Sequence, residues 1–238
     1  MSAIGDNERI DVLDYLRGFA LLGIILVNIG PLLAVNPSAA NSADAAYWRF
    51  LYLFMEGRFY TIFTFLFGVG LFLFIDRANT KGKKGQVLLV RRLIVLFIFG
   101  WVHVQFHPGE ALTIYAVSGL ILLPFYKVNR NVNFIFGIIM LVVLGLFAAK
   151  IFMVIPLMLL GIAAGQYHLF QRVRHRIKAT AVSTVIMLVL SLVGLTFQYQ
   201  SAPSPAEITN SIQTQQFMSI GITIGPVISA FYAGCIVM

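Results

Sequence analysis

The chain alternates long apolar runs with short polar breaks, and the breaks divide it into segments close to bilayer length. A helix needs about 20 mostly apolar residues to cross the hydrocarbon core. The first run, about Gly18–Leu33, stops at Asn36-Pro37-Ser38 and a small polar loop. Ala45–Glu56 is aromatic and weakly amphipathic, the pattern of a segment lying at the interface. A second span covers about Phe59–Ile75 and is followed by a basic loop, Asp76–Arg92. The third, about Leu93–Phe106 with an alternative start near Val87, reaches a tight turn at Pro108-Gly109, and the fourth covers about Ala111–Tyr126. After the polar loop Lys127–Asn133, the run Phe134–Gly165 is too long for one helix. Lys150 and Pro156 interrupt it, so it divides near Ala148–Lys150 into a fifth and a sixth span. A second basic loop, His168–Lys178, precedes the seventh span, about Ala179–Phe197. A polar loop with Pro203 and Pro205 leads to the eighth, which starts near Phe217 and is still apolar at Met238. The pattern predicts an all-α fold, a polytopic transmembrane helical bundle of about eight spans in one domain over residues 1–238. An apolar run that is still open at its last residue predicts the N-terminal part of a longer protein.

Composition agrees with lipid as the solvent. The chain is 59% hydrophobic and 11% charged, where soluble domains carry about 25% charged residues. A formal charge of +8 would suggest nucleic acid in a soluble protein. Here the cations sit in short loops, so nucleic acid is not an expected partner. Counted by side of the membrane, 14 of the 17 Lys and Arg fall on the side of the N-terminus. The remaining three are Arg49, Arg58 and Lys150. By the positive-inside rule this predicts a cytoplasmic N-terminus. The basic loops read as topology signals beside anionic lipid, with a phosphate-ligand site as the alternative. Asp6, Glu8, Asp11 and Asp14 ahead of the first run, with no small-residue cleavage site after it, predict a retained first span. The single cysteine, Cys235, lies inside the last apolar run and has no metal-ligand spacing around it.

Function in such a chain rests on ionisable groups at membrane depth, which are costly to place there. Asp14 and Arg17 are three residues apart and can pair on one helix face. Asn28 follows Arg17 by eleven residues, which returns to nearly the same face roughly 16 Å deeper. That polar stripe reads either as a binding path or as interhelical glue with a cytoplasmic anchor. In the third span Arg92 and His103 repeat the spacing of eleven, and Glu110 follows a turn later. A histidine oriented by a carboxylate is suited to general base work; alternatively both are solvated loop residues. Glu56-Gly57-Arg58 puts an arginine on the less positive side, either for binding or as an interfacial ion pair. Gly68-x-Gly70 is a close-packing signal between helices rather than a phosphate loop. Breaks of the kind seen in transporters are weak, at Pro31 and Pro156.

These residues give the chain a resemblance to the YeiB-like family of bacterial membrane proteins. It is carried by Arg9-Ile10-Asp11-Val12-Leu13-Asp14-Tyr15-Leu16-Arg17-Gly18-Phe19-Ala20, with Asn28 after it. Arg58-Phe59-Tyr60-Thr61-Ile62-Phe63, Phe67-Gly68-Val69-Gly70, Gly100-Trp101-Val102-His103, Gly109-Glu110 and Pro156-Leu157 continue it in order. Gly-Asp is usual in the family where this chain has Gly109-Glu110. The opening block also resembles that of membrane acyltransferases related to heparan-alpha-glucosaminide N-acetyltransferase. That resemblance implies transfer of an acyl group from cytoplasmic acyl-CoA, as co-substrate rather than bound cofactor, to an envelope sugar or lipid acceptor. It implies CoA binding by Arg17 and Arg92 and base chemistry at His103 oriented by Glu110. In those enzymes the catalytic histidine follows the first span; the corresponding loop here, Pro31–Gly57, has none, which moves the role to His103. Two other readings stand beside it. One is a permease with Asp14, Arg17, Asn28 and His103 as substrate or proton sites; the other is a non-catalytic scaffold. The family resemblance implies the bacterial cytoplasmic membrane as location.

Overall fold

The computed structural model of the chain describes residues 10–32, 43–106, 111–202 and 212–238. All regular structure among these residues is helical. In chain order the helices are α1 (Asp11–Leu32), α2 (Ala43–Phe50), α3 (Arg58–Thr80), α4 (Gly85–His103) and α5 (Leu112–Leu122). They continue with α6 (Arg130–Leu146), α7 (Val154–Gln166), the single turn α8 (Leu169–Arg172), α9 (Ile177–Gln200) and α10 (Ile212–Val237). A π-helical turn, Leu51–Met55, follows α2, and 3-10 turns cover Leu123–Lys127 and Val173–Arg176.

Among the described residues, five helical segments are long and apolar enough to cross a bilayer: Asp11–Ile29, Leu51–Thr80, Gly85–His103, Ile177–Gln200 and Gln215–Val237. The stretches expected as spans four, five and six are helical and apolar but shorter: Leu112–Lys127, Arg130–Leu146 and Val154–Gln166. The long run does divide where Lys150 and Pro156 suggested, between Leu146 and Val154, with Ala148 in the left-handed region at φ +50°.

Two expectations need correction. The basic loop Asp76–Arg92 is mostly helix: α3 runs on to Thr80, and α4 starts at Gly85 and contains Arg91 and Arg92. Lys and Arg are good helix formers, so charge alone does not end a helix. The stop is Gly82 at φ +70°, where Gly82 N donates to Asn79 O (2.9 Å) and Lys83 N to Ala78 O (2.9 Å). This is the glycine-closed C-cap that leaves few residues for the turn. Asn79 Oδ1 then accepts from Gly85 N at 3.0 Å, tying the end of α3 to the start of α4. Second, Ala45–Glu56 is not one uniform segment. Its last part, Leu51–Met55, belongs to the membrane-length stretch that continues into α3, with Gly57 at φ +76° making the bend between them.

The chain forms two compact units. One takes in Thr64–Leu141 and Phe152–Arg172 and the residues up to Asp14. Here α4 packs on α5 and α5 on α7 around Leu71, Ile75, Leu89 and Leu93. Gly68 lies against the backbone of Met158, and Gly161 against the carbonyl of Phe65, so α3 and α7 touch backbone to backbone. That is the close packing expected of Gly68. Several buried polar groups in this unit are paired across elements, although Asn133 Oδ1 is buried without a partner. Thr64 Oγ1 and Tyr115 Oη are 2.8 Å apart. Asn133 Nδ2 donates to Phe125 O (2.9 Å) and Gln166 Oε1 (3.0 Å), while Gln166 Nε2 donates to Val128 O (2.9 Å) and Tyr126 O (3.1 Å). These two amides join the 3-10 turn to α6 and α7. Loss of a fully buried donor leaves its acceptors unsatisfied, at about 1–3 kcal/mol. Asn133→Ala is therefore expected to destabilise this unit by roughly 2 kcal/mol, read as a lowered melting temperature in detergent, while exposed Lys127→Ala leaves it unchanged.

The second unit comprises Tyr15–Phe63, Val142–Ile151 and Val173–Met238. Its main contact is α9 against α10. The facing surfaces are small and polar: Gly194 meets Ile224, Gly234 meets Thr184 and Gly221 meets Gln198. Such residues allow close approach where apolar area alone cannot drive association. The outer faces of α1, α4 and α9 carry exposed Leu, Ile, Val and Phe, as a lipid-facing surface requires.

Candidate functional site: a buried arginine and two polar helix faces

Arg58 is the first residue of α3 and is only 1% exposed, although it is the largest and most strongly polar side chain in its surroundings. Its Nη1 donates to Glu56 O at 2.6 Å and to Gly221 O at 3.2 Å, and its Nη2 donates to Gln198 Oε1 at 2.8 Å. Gln198 is equally buried, and its Nε2 lies 3.4 Å from Phe217 O. Ser229 Oγ donates to Arg58 O (2.8 Å) and lies 2.7 Å from Gly225 O, fixing the backbone of the same residue to α10. The next residue, Phe59, packs its ring 4.9 Å from that of Phe19 and 6.1 Å from that of Tyr232 between centroids. Tyr232 Oη in turn donates to Phe54 O at 3.0 Å.

The local sequence explains this placement. Gly57 supplies the positive φ that turns the chain from the π turn into α3, and Arg58 follows at once. Thr61 Oγ1 donates back to Gly57 O at 2.7 Å and closes the first turn. The ion pair expected between Glu56 and Arg58 is not what forms. The Glu56 carboxylate pairs with Lys150 Nζ at 2.7 Å, while Arg58 uses the Glu56 carbonyl. Among the described residues no carboxylate lies within ion-pair distance of the guanidinium. Five N–H donors are available to an arginine. Three are used, and Nε is buried without a partner. The cation also sits at the positive end of α3, which disfavours it further.

The other expected residues lie elsewhere. Asp14, Arg17 and Asn28 all sit on unbroken α1, and each is half-buried. Arg92 and His103 both lie on unbroken α4 and both are exposed, His103 as its last residue. The Arg92 guanidinium stands 4.4 Å over the Phe74 ring, a cation–π contact. Glu110 falls outside the described residues, and so does the pairing expected of it. The chief partners of Arg58 were not singled out from sequence. Their signal is periodic: Ser191, Gly194 and Gln198 share one buried face of α9, and Gly221, Gly225 and Ser229 recur every four residues on α10. No cluster of three metal-ligating side chains occurs among the described residues.

This fold defines a helical membrane protein with transmembrane helices and a buried cationic centre. No family model matches the chain, and no solved structure matches it. An uncharacterized 39.9 kDa protein in the amylase 3' region of Bacillus acidopullulyticus is 52% identical over 247 aligned positions, covering all of this chain and 71% of that protein. Uncharacterized protein YxaH of Bacillus subtilis is 36% identical over 56% of the chain. Uncharacterized protein YeiB of Escherichia coli is 35% identical over 58%. The matched stretches span 36% of YxaH and 37% of YeiB, little more than a third of their length. The chain belongs to the YeiB-like family.

Proposed function

We propose that this is a multi-pass protein of the bacterial cytoplasmic membrane, with about eight spans and a cytoplasmic N-terminus, and that it works as an acyltransferase. The observation that supports the reading is α4, a single helix from Gly85 to His103 that carries Arg92 and His103 on one face. Eleven residues of helix separate them by roughly 16 Å, enough to link a phosphate-binding cation near one bilayer surface with an imidazole near the other. In this reading Arg92 holds the phosphates of acyl-CoA. His103, oriented by Glu110, takes the proton from an acceptor hydroxyl as its oxygen bonds to the acyl carbon. The carbon–sulfur bond breaks, and the proton passes to the leaving thiolate of CoA. The test uses the full-length protein in vesicles, radiolabelled acetyl-CoA and a panel of envelope sugars and lipids. Label is expected to reach an acceptor, and His103→Ala is expected to slow transfer by about 10²–10⁴-fold. No transfer, or transfer unchanged by His103→Ala, overturns the assignment.

A permease is the second reading, and a different observation favours it. Pro226 lies inside α10 directly after Gly225, and Arg58 is buried against the same helix. A proline within a helix is a point where it can bend, and an intramembrane charge beside it suits solute binding. Vesicle uptake without acyl-CoA, abolished by changing Asp14, would favour this reading over the first.

A further inference from the structure

Arg58 carries a binding capacity that its protein contacts do not use. With three of five donors engaged, one N–H on Nη2 and the one on Nε remain, on adjacent nitrogens of the guanidinium. Among the described residues no carboxylate pairs directly with the guanidinium, because the Glu56 carboxylate is engaged by Lys150 Nζ at 2.7 Å. The first turn of α3 adds its own positive field to that of the cation. A desolvated cation at a helix N-terminus is stabilised by an anion placed against it.

α10 offers a place for one. Ser229 holds the Arg58 carbonyl and Gly221 accepts from Nη1, so the arginine is laid along α10 between these two contacts. Gly225 lies midway between them on the same face. A Cβ at Gly221 would collide with Gln198, whereas a Cβ at Gly225, which is also buried, meets nothing within 4 Å. The space therefore opens on α10 between the two residues that contact Arg58. Pro226 follows, and a proline inside a helix removes the bond to the carbonyl four residues back, here Ile222. The helix thus lacks one of its own hydrogen bonds beside Gly225.

We propose that Arg58 and Gly225 form, beside Pro226, a binding site for the carboxylate of a small organic acid, reached when α10 bends at this proline. A carboxylate fits for two reasons. Its two oxygens match donors on adjacent nitrogens, and its single charge matches that of the Arg58 guanidinium, where a phosphate dianion would add a second negative charge in the membrane. Neither Gly225 nor Pro226 has a role in the acyl-transfer reading, and Arg58 is not a residue of that reaction, so the site does not depend on acyl transfer.

Charge-selective thiol labelling tests the site whichever acid it takes. In a full-length Cys235→Ser background, Gly225→Cys places a thiol in the open space. Its reaction is followed with the anionic sulfonatoethyl and the cationic trimethylammonioethyl methanethiosulfonates. One nearby elementary charge is expected to make the sulfonate react roughly tenfold faster relative to free cysteine. Arg58→Gln should abolish that preference. Acetate should slow the sulfonate reaction more than chloride at the same ionic strength. Ser229→Cys, nearly isosteric and one turn along the same face, serves as reporter if Gly225→Cys does not fold. Absence of labelling at both positions, or equal rates with the two reagents, overturns the site. Sulfonate preference without protection by acetate overturns its assignment to a carboxylate. A thiol-labelling result is independent of whether acyl transfer is found.

Discussion

Arg58→Glu is expected to yield no folded, monodisperse protein, whereas Arg58→Met should fold. The two outcomes separate the roles of this residue. The guanidinium faces three acceptors, Glu56 O, Gly221 O and Gln198 Oε1, all inside the protein. A carboxylate in their midst is repelled by each and has no donor except the Gln198 amide after rotation. An uncompensated buried charge of this kind costs several kcal/mol, which is comparable to the whole stability of a domain. Methionine removes the charge as well as the donors. It strands three acceptors, at about 1–3 kcal/mol for those left unsatisfied, but it also relieves the burial of an unpaired cation. Replacing buried ionic groups by apolar ones of similar volume is often neutral or stabilising. Arg58→Met should therefore melt within about 2 kcal/mol of wild type, while losing the sulfonate preference and acetate protection. Arg58→Lys should fall between them, because one ammonium at the end of a flexible stem cannot reproduce the planar fork. The comparison is made by size-exclusion profile and thermal melting in detergent. A folded Arg58→Glu protein would mean that Arg58 does not sit among these acceptors.

The helical class and its segmentation were legible because lipid imposes a coarse requirement on composition. A run such as Ala179–Phe197 has few alternatives to a transmembrane helix, and α9 covers it entirely. The helix ends were less legible, because they depend on single residues. Gly82 stops α3, while the five Lys and Arg between Lys81 and Arg92 do not prevent α4 from starting at Gly85. The site was half visible. Arg58 attracted notice as a cation on the side expected to be less positive, and the structure buries it. Its partners lie 140, 163 and 171 residues away, at Gln198, Gly221 and Ser229, and no local pattern joins positions so distant. The periodic small and polar faces on α9 and α10 could have been read, but only as surfaces without a partner. The Glu56–Arg58 pairing failed for a stereochemical reason. Gly57 bends the chain between them, leaving the Glu56 carbonyl within reach of the guanidinium while the carboxylate meets Lys150.

Gly68→Leu and Gly161→Leu are each expected to destabilise the unit containing α3 and α7 by more than about 4 kcal/mol, enough to prevent recovery of folded protein. At Gly68 a Cβ would fall within the Met158 carbonyl, and at Gly161 within the Phe65 carbonyl. Both obstacles are backbone, so no rotamer change clears them. The helices have to separate, and separation also breaks the packing of Leu66, Val69, Leu159 and Ile162, which are almost completely buried. Even Gly161→Ala should cost about 1–3 kcal/mol, despite the roughly 1 kcal/mol that alanine gains over glycine in helix propensity. Gly225→Ala is the internal comparison. It has the same gain in propensity but no obstacle within 4 Å, so its melting temperature should rise or stay level. The two α3–α7 contacts share one interface, and their effects should not add. Once Gly68→Ala has pushed the helices apart, Gly161→Ala has less contact left to disrupt. The double variant is expected to be less unstable than the sum of the two single variants by at least about 0.5 kcal/mol. Full additivity in thermal melts would mean that the two glycines lie at independent sites and that α3 and α7 are not in backbone contact.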